Sequence, residues 1–537
     1  MVSAVIAVAI AIRLAPLHWT AYPFNPDAFS FARYARDTLA AGTISGETTP
    51  HGLSFTVTVA MVAELSGIDP LRVGQPIVAL IGAGPAVLAV AFTRRLGYSR
   101  GWSARAVFVA ASLAGLGLAT QGVYLRRTAG VHYETFGLLL VPVLAFAAHW
   151  LFATRRLAWG VIVSFVLMIF PVTHHFSTVI GGVALVFIAV LWCRRRLTWG
   201  TLALATGLVG GFWLYLGTYY ALTRPAQVEN VTMNPGLFLA WVVFGTALYL
   251  WFNRASARAG QIAVGSVLAS GFLILVLNSL GLYPGTSATP STLLLFLLPL
   301  AGIAVLTAIG VGSMATDHDV GPVVLVLLVA PITIVFFGLS SGVTPGNTLI
   351  ARRGQTFVHL VGMVLAALGA VSIARPIGQW SERYGWRTGL RVAVPMLMLV
   401  SALVTAPVAF ADLDVFSYQG TTTSEEFQGA TFAVEHAGES WAGDDHLTRI
   451  ASNYYGDNSS GHVAPVYGWL HGEPPPTCLT IGQDSWTTAG AQLYPDDPVV
   501  LEDSQYDHWQ TARNVVYATS GPENVVIVHS GSEHSSC

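Results

Sequence analysis

Three groups of ionisable residues lie beside long apolar segments, where their side chains could do chemistry at a membrane surface. The first begins at Asp27, which follows Pro23-Phe-Asn-Pro in a stretch that ends at His51. A carboxylate in this position can hold a divalent cation or take a proton from an attacking hydroxyl. Asp is also a good helix N-cap before Ala-Phe-Ser-Phe-Ala-Arg, so a capping role is the alternative.

The second group stands where one apolar segment ends and the next begins. Arg126, Arg127, His132 and Glu134 fall within nine residues of one another. Ionisable groups at the edge of lipid are costly unless they pair or line a cavity. The arginines could bind a phosphate, and His132 with Glu134 could complete a metal site or act as a base. An interfacial salt bridge between Arg127 and Glu134 is the alternative.

The third group is Arg352 and Arg353, at the opening of a late apolar segment. Paired arginines on an outer face oppose the usual charge bias of membrane proteins, which indicates that they meet an anion. Snorkelling to lipid headgroups is the alternative. His174 and His175 form a weaker candidate, since both also suit a plain external turn. Asp317-His318-Asp319 is interpreted as a solvated turn.

Composition fixes the class of protein that must position these groups. The chain has 537 residues, of which 53% are hydrophobic and 10% charged, with a mean hydropathy of +0.60, as expected of a polytopic membrane protein. Residues 1–410 hold 24 Arg against 10 acids, whereas residues 411–537 hold 2 Arg against 18 acids. The tail is therefore predicted to be a water-facing acidic domain, and it would repel nucleic acid.

Thirteen apolar runs are long enough to cross roughly 30 Å of hydrocarbon. They cover residues 2–17, 72–92, 103–121, 134–152, 158–173, 177–193, 200–222, 235–252, 261–281, 292–311, 321–340, 356–374 and 391–410. Because loops on one side hold 15 Arg and those on the other 8, the first side is predicted to be cytoplasmic. The first loop (18–71), the arginine–histidine junction and the tail then lie outside.

Within these regions the pattern predicts further local structure. Phe29, Tyr34, Ala35 and Leu39 suit the apolar face of a helix lying on the bilayer surface. In the tail, residues 425–436 predict a helix, and the β-branched runs beginning at Val499, Asn514 and Asn524 predict strands. Of three cysteines, only Cys478 and Cys537 share the tail and could pair. The absence of Lys, with so acidic a tail, favours a halophilic source.

These residues together resemble the C-type (GT-C) membrane glycosyltransferases, and more narrowly the catalytic subunit of oligosaccharyltransferase. Asp27 with Ala32-Arg33, Ala35-Arg36, Leu39 and Gly42 is similar to the acidic first-loop motif of that superfamily. Arg127-Thr-Ala-Gly130 before His132-Tyr133-Glu134 is similar to the segment that precedes an Asp-Asn-Glu metal motif. The pair Arg352-Arg353 resembles the arginine region that faces the lipid-linked donor.

The sequence also departs from that family. It has no Asp-Asn-Glu, and Ser440-Trp441-Ala-Gly-Asp444-Asp445-His446 is only a faint echo of the acceptor motif Trp-Trp-Asp-Tyr-Gly. The external loop at Thr286-Ser-Ala-Thr-Pro-Ser-Thr lacks the family's acidic residue. Transfer to an Asn-x-Ser/Thr acceptor, and dependence on a metal, therefore do not follow from the resemblance.

The resemblance implies an α-helical polytopic membrane protein of about 13 transmembrane helices (1–410), GT-C-like, with a small extracellular α/β domain (411–537). It would be an archaeal enzyme of the cell membrane that moves a sugar from a polyprenyl or dolichyl (di)phosphate carrier to a glycan, lipid or protein acceptor outside.

The implied site joins Asp27, His132 and Glu134 as catalytic groups with Arg126, Arg127, Arg352 and Arg353 as phosphate-binding groups. His51, His174 and His175 are accessory, and Mn²⁺ or Mg²⁺ held by Asp27, His132 and Glu134 is the cofactor expectation. The alternatives are a full oligosaccharyltransferase for protein N-glycosylation, a transporter or lipid flippase, and an inactive surface protein that keeps the fold.

Overall fold

The computed structural model describes most of the chain. It describes residues 1–537 except 283–287, 315–318, 343, 380–386, 414, 438–439, 495, 522–523 and 531–536. Side chains are described outside those ranges, with the further exception of 226–229, 345, 375–379 and 387–391. The interpretations made for the Thr286 loop and for the Asp317-His318-Asp319 turn fall wholly or partly outside the described residues.

Helices form nearly all of the first 410 residues. They are α1 (Val2–Arg13), α2 (Asp27–Ala41), α3 (Leu53–Ser66), α4 (Pro70–Gly82), α5 (Gly84–Ser99), α6 (Ala104–Thr120), α7 (Gly122–Ala129), α8 (Glu134–Thr154), α9 (Leu157–Ile169), α10 (His175–Arg195), α11 (Trp199–Thr223), α12 (Ala226–Met233), α13 (Pro235–Phe252), α14 (Ala257–Ser279), α15 (Ser291–Leu297), α16 (Pro299–Val311), α17 (Gly321–Ser340), α18 (Pro345–Thr356), α19 (Val358–Gln379) and α20 (Arg387–Val404).

Every predicted apolar run coincides with a helix or helix pair. In the described part of the chain, ten helical segments are long and apolar enough to span a membrane, and the bent pair α6–α7 makes an eleventh. The two remaining runs form the shorter apolar helices α1 and α9. The protein is thus a multi-pass membrane protein, and the predicted thirteen runs correspond to ten full-length spans, one bent pair and two short helices.

The bend between α6 and α7 carries the arginine-rich segment away from the span. The two helices meet at 59°. Gln121 begins α7, and its side chain accepts a hydrogen bond from the backbone N–H of Tyr124 at 2.7 Å. A Cβ at Gly122 would lie 1.7 Å from the carbonyl oxygen of Thr405, so only glycine allows α7 to approach the end of α20 this closely.

The tail forms an α/β domain. Its helices are α21 (Ser424–His436), α22 (Asp445–Tyr455), α23 (Ala464–Leu470) and α24 (Asp503–Thr511); its strands are β1 (Trp441–Ala442), β2 (Gly461–His462), β3 (Leu479–Gln483), β4 (Asn514–Ala518) and β5 (Val525–His529). The sheet order is β2-β1-β3-β5-β4, parallel at the β2-β1-β3 end and antiparallel at the β3-β5-β4 end.

Most of the local predictions for the tail are confirmed. The predicted helix is α21, and the runs at Asn514 and Asn524 form β4 and β5. The run at Val499 forms only an isolated bridge to Ala491, so the prediction of a strand there was wrong. Cys478 and Cys537 form a disulfide that joins the end of the chain to the residue before β3.

Helix α2 does not lie on a bilayer surface, because the protein buries both of its sides. Phe29 and Ala32 pack into the core of the tail domain with residues such as Ile450. Phe31 and Ala35 pack against α3 and α4 instead. The first loop and the tail domain therefore lie on the same side of the membrane, which requires an even number of crossings between them. The predicted thirteen crossings satisfy this condition, because the first crossing precedes the first loop and the other twelve lie between that loop and the tail.

Candidate functional site

Asp27 lies in the first turn of α2 with its side chain exposed. The capping position is Pro26, and no side chain caps this helix, so the structure does not show the capping alternative for Asp27. The backbone N–H of Asp27 points instead to Oδ1 of Asn25, at 3.4 Å. Among described residues the carboxylate has no recorded hydrogen-bond partner, and a carboxylate in this state is open to an incoming hydroxyl.

Asn25 connects the first loop to the two other parts of the site. Its Nδ2 lies 3.0 Å from Nδ1 and 3.1 Å from Nε2 of His132, and its Oδ1 accepts a hydrogen bond from the hydroxyl of Tyr418 at 2.9 Å. Its backbone N–H donates to the carbonyl oxygen of Gly420 at 2.7 Å. Asn25 is buried and has a φ of 99°, a backbone conformation that residues other than glycine rarely adopt.

A compact cluster of rings lies next to His132. The ring of Tyr133 is 5.6 Å from that of His51 and 5.1 Å from that of His174, and the rings of His51 and His175 are 4.7 Å apart. Nε2 of His174 and both ring nitrogens of His175 are buried without a hydrogen-bond partner. Buried polar atoms are usually paired, so these three nitrogens have unused binding capacity.

Arg353, near the end of α18, is electrostatically coupled to every member of this cluster. Burial and then Arg353 lower the pKa of His51 to about 4. The pKa of His132 is lowered to about 3, mainly by burial and then by Arg127 and Arg353. The pKa of His174 is also lowered, by burial and then by His175 and Arg353. These histidines are neutral at pH 7, and Nε of Arg353 is itself buried without a hydrogen-bond partner.

Three arginines beside the histidine cluster give this region an excess of positive charge. Arg352 and Arg353 both lie close enough to Arg127 to oppose its charge, and Glu134 is the carboxylate that favours it. Like charges held together in a partly buried site destabilise one another unless an anion joins them. The arrangement therefore fits the binding of a phosphate or diphosphate group.

Glu134 begins α8 and is buried, with Oε1 lacking a hydrogen-bond partner. Arg127 interacts with it through space, but the described side chains include no direct ion pair between the two. The structure therefore does not show the predicted alternative, an interfacial salt bridge. Both groups remain available to a ligand.

Arg126 bonds to a different part of the protein from the other arginines. It donates to the carbonyl oxygen of Ala411 at 2.9 Å, and its guanidinium lies 3.8 Å from the centre of the Phe416 ring. Both contacts are with the segment that leads from α20 into the tail domain. The geometry suits Arg126 to anchoring this segment rather than to contacting a bound phosphate.

The predicted metal ligands do not come together as a set. Among the residues that the structure describes, no three His, Cys, Asp or Glu side chains are grouped so that they could hold a metal ion. Asp27, His132 and Glu134 thus do not fit a metal in this arrangement. Asn25, an amide donor, occupies the place beside His132 that a metal ligand would need.

The tail domain adds three residues that the sequence did not single out. Arg449, on α22, lies 5.5 Å from the ring centre of Tyr418 and 5.3 Å from that of Tyr494. Tyr418 and Arg449 both interact electrostatically with Asp27. The sequence does contain one signal for Arg449: it lies four residues after Asp445, a spacing that predicts an ion pair on one helix face. The structure has this ion pair, at 3.3 Å.

The segment that faintly echoes the acceptor motif is structural. Trp441 is fully buried, and its Nε1 donates to the carbonyl oxygen of Ser459 at 2.6 Å. Asp444 caps α22 and accepts a hydrogen bond from Nε1 of Trp486 at 3.0 Å. His446 is buried beside Glu426, with Nε2 and Oε2 3.6 Å apart. This segment holds the tail domain together and is closed to substrate.

A small apolar pocket lies beside the histidine cluster. Its lining includes His175, Phe176 and Val179 of α10, Phe238 of α13, and Ile334 and Phe337 of α17. With space for about one water molecule, it is far smaller than a typical ligand pocket.

Comparisons with known proteins give a likeness to solved structures only. No family model matches the chain, and no curated protein matches it significantly. The chain is similar to ArnT from Cupriavidus metallidurans bound to undecaprenyl phosphate, with 13% identity and a TM-score of 0.34, over 98% of this chain and 97% of that one. It is similar to the apo state of the same protein with 13% identity and a TM-score of 0.33, over the same shares of the two chains.

Proposed function

We propose that the protein is a membrane glycosyltransferase that takes a sugar from a polyprenyl or dolichyl (di)phosphate carrier. One observation carries this proposal. An exposed carboxylate, Asp27, and a cation cluster of three arginines (Arg127, Arg352 and Arg353), which outnumber the nearby carboxylate Glu134, meet at one end of the helix bundle. The shared neighbour is Tyr133, whose pKa burial raises to about 12, with Arg353 acting against the shift and Asp27 adding to it.

The cation cluster suits the phosphate of a lipid-linked donor, whose hydrocarbon chain stays in the bilayer. The phosphate would lie against Arg353, Arg352 and Arg127. As the bond between the sugar C1 and the phosphate oxygen breaks, negative charge grows on the leaving phosphate. Cations fixed beside that oxygen stabilise the transition state more than the ground state.

Asp27 suits the role of general base. An acceptor hydroxyl oxygen would form the new bond to C1, its proton would pass to the Asp27 carboxylate, and the phosphate would leave with the electrons of the old bond. Neutral His132, in contact with Asn25, and Glu134 both interact electrostatically with Arg127, one of the arginines of the cation cluster. No step in this scheme passes through a metal ion.

The site is proposed to face the outside of the cell. The arginine count places the loops with more Arg in the cytoplasm, and the first loop and tail domain on the opposite side. A lipid-linked donor keeps its hydrocarbon chain in the bilayer while its phosphate and sugar reach water. A site at the outer rim therefore meets both the donor and an external acceptor.

The test is to replace Asp27 with Asn in the full chain and to measure surface glycans by mass spectrometry. Loss of a base typically lowers the rate by about 10²- to 10⁴-fold. The matched control is Asp37→Asn, because Asp37 lies on the same helix and pairs with Arg36. Unchanged glycans at a normal amount of Asp27→Asn protein would rule the proposal out.

The same measurement distinguishes the two transferase hypotheses. In a deletion strain, loss of a whole N-glycan would indicate transfer of an oligosaccharide to protein. Loss of one sugar from a glycan that otherwise remains would indicate transfer of a single sugar.

A further inference from the structure

A small aromatic face of the tail domain interacts electrostatically with Asp27 and is connected to the first loop through Asn25. It consists of Tyr418, Arg449 and Tyr494 and is called here the tyrosine–arginine face. The two tyrosine rings lie edge to face with centres 5.6 Å apart, and the Arg449 guanidinium is about equally far from both. The side chain of Tyr494 is 49% exposed, so this ring is open to a ligand.

The face has little net charge, in contrast to the cation cluster. The ion pair with Asp445 compensates Arg449, and the Tyr418 hydroxyl is already bonded to Asn25. What remains exposed is aromatic surface with hydrogen-bonding groups around it, and the exposed Asp27 carboxylate adjoins it. An anionic ligand would gain more at the arginines around Arg353 than here.

This combination suits one class of ligand. A sugar ring has C–H faces that pack on an aromatic ring, and its hydroxyls bond to carboxylate, guanidinium and phenol groups. The face also adjoins the donor side, since Tyr494 interacts electrostatically with Arg127. A ring seated on Tyr494 would therefore lie near both the tail-domain side of Asp27 and Arg127.

We propose that the tyrosine–arginine face binds a neutral sugar of the acceptor and directs one of its hydroxyls to Asp27. This inference rests on the proposed function and names the acceptor class that the function left open. The hydroxyl oxygen bonds to the donor C1, its proton goes to Asp27, and the carrier phosphate leaves. A peptide acceptor containing Asn-x-Thr is the competing class.

The first experiment measures binding by saturation-transfer NMR with the purified full chain in detergent. The probes are maltose, lactose, cellobiose, N,N′-diacetylchitobiose and mannobiose, with an acetylated Asn-Ala-Thr peptide as the competing probe. We expect at least one disaccharide to bind and the peptide not to. Tyr494→Ala should weaken that binding by about fivefold or more, the effect of losing one stacking contact.

The matched control is Tyr98→Ala. Tyr98 is 50% exposed, almost the same as Tyr494, but it lies in the last turn of α5, on the side predicted to be cytoplasmic. Tyr494→Trp, which keeps an aromatic surface, should restore binding. With an active preparation, Tyr494→Ala should raise the acceptor KM with little change in kcat, because the ring positions the acceptor and takes no part in bond making.

Three results would overturn this inference: binding of the peptide alone, no binding of any disaccharide, or disaccharide binding that Tyr494→Ala leaves unchanged. Each is distinguishable from failure of the proposed function. Loss of glycan in Asp27→Asn with no sugar bound at Tyr494 would retain the transferase and reject this acceptor site. Unchanged glycan in Asp27→Asn would reject both.

Discussion

The side-chain amide of Asn25 lies 3.0 Å from the His132 ring although 107 positions separate the two residues. The same amide accepts a hydrogen bond from Tyr418, 393 positions away. One buried residue in an unfavourable backbone conformation thus fixes the first loop, the junction of α7 with α8, and the tail domain relative to one another. Such strain persists where the surrounding structure over-determines it, which is common at functional sites.

Asn25→Gly should separate the positioning role of this residue from its structural role. Glycine accepts a φ of 99° without strain, and this gain offsets the loss of the hydrogen bond from Tyr418, so we expect the melting temperature of the full chain to change little. The amide contacts with His132 and Tyr418 are lost, so transfer should fall by about tenfold or more. Glycan analysis and thermal unfolding of the same preparation provide the two measurements.

Asn25→Leu is the contrasting variant. It keeps the strained backbone but places an apolar side chain against the His132 ring and the Tyr418 hydroxyl. We expect destabilisation by about 1–3 kcal/mol, because a buried polar partner is left unpaired. If Asn25→Gly retained full transfer, Asn25 would have no positioning role.

Arg353 and Arg126 should respond differently to the same substitution. Arg353→Gln removes the cation that interacts with every ring of the histidine cluster. The affinity of the protein, in nanodiscs, for a polyprenyl phosphate should therefore fall by about tenfold or more. Arg126→Gln should leave that affinity unchanged and lower the melting temperature instead, because Arg126 holds the carbonyl oxygen of Ala411. Equal losses of affinity in both variants would contradict this division of roles.

The buried pair of His446 and Glu426 predicts a pH-dependent stability of the tail domain. Burial opposes the charge on His446, but Glu426 and Asp444 outweigh it and raise its pKa. Burial would raise the pKa of Glu426, but His446 and the surrounding hydrogen bonds lower it. The His446 contribution is therefore complete below its unfolded pKa of about 6.5 and is lost as the pH rises through its higher folded value.

His446→Gln measures this contribution. Removing one member of a buried pair should cost about 3 kcal/mol at pH 6 and less at pH 9, because the charge on wild-type His446 is lost as the pH rises through its raised pKa. Thermal unfolding of the full chain, followed by tryptophan fluorescence at both pH values, gives the difference between the proteins. Asp412 and Asp444 also interact with His446, and burial raises the pKa of each carboxyl group. If the melting temperatures of variant and wild type changed in parallel with pH, the pair would not titrate as proposed.

Much of the helix bundle could be predicted because hydropathy is a property of consecutive residues. Each of the thirteen predicted runs coincides with helix, since a backbone in lipid must satisfy its own hydrogen bonds. The acidic tail could be distinguished from the helix bundle for a similar reason, because charge composition is also a property of consecutive residues. The bend at Gln121 was not predicted, because it depends on the approach of Gly122 to Thr405, which lies far along the chain.

The candidate site was only partly predictable. The residue types of Asp27, His132 and Arg353 are unexpected beside lipid, which is a signal readable from the sequence alone. The contribution of Tyr418, Arg449 and Tyr494 was missed, since tyrosines and one paired arginine in an acidic domain are ordinary surface residues. Their role becomes visible only because α2 inserts Phe29 into the core of the tail domain.

By itself the sequence determined that the chain crosses a membrane repeatedly, that it ends in an acidic α/β domain, and which polar residues lie beside the spans. The tertiary structure alone decided which of those residues meet. It turned Arg126 to the connecting segment, kept Asp27, His132 and Glu134 from forming a set of metal ligands, and brought the tail domain to Asp27. The physical reason is that composition sets the environment of each segment, whereas contacts between distant segments depend on how side chains pack in three dimensions.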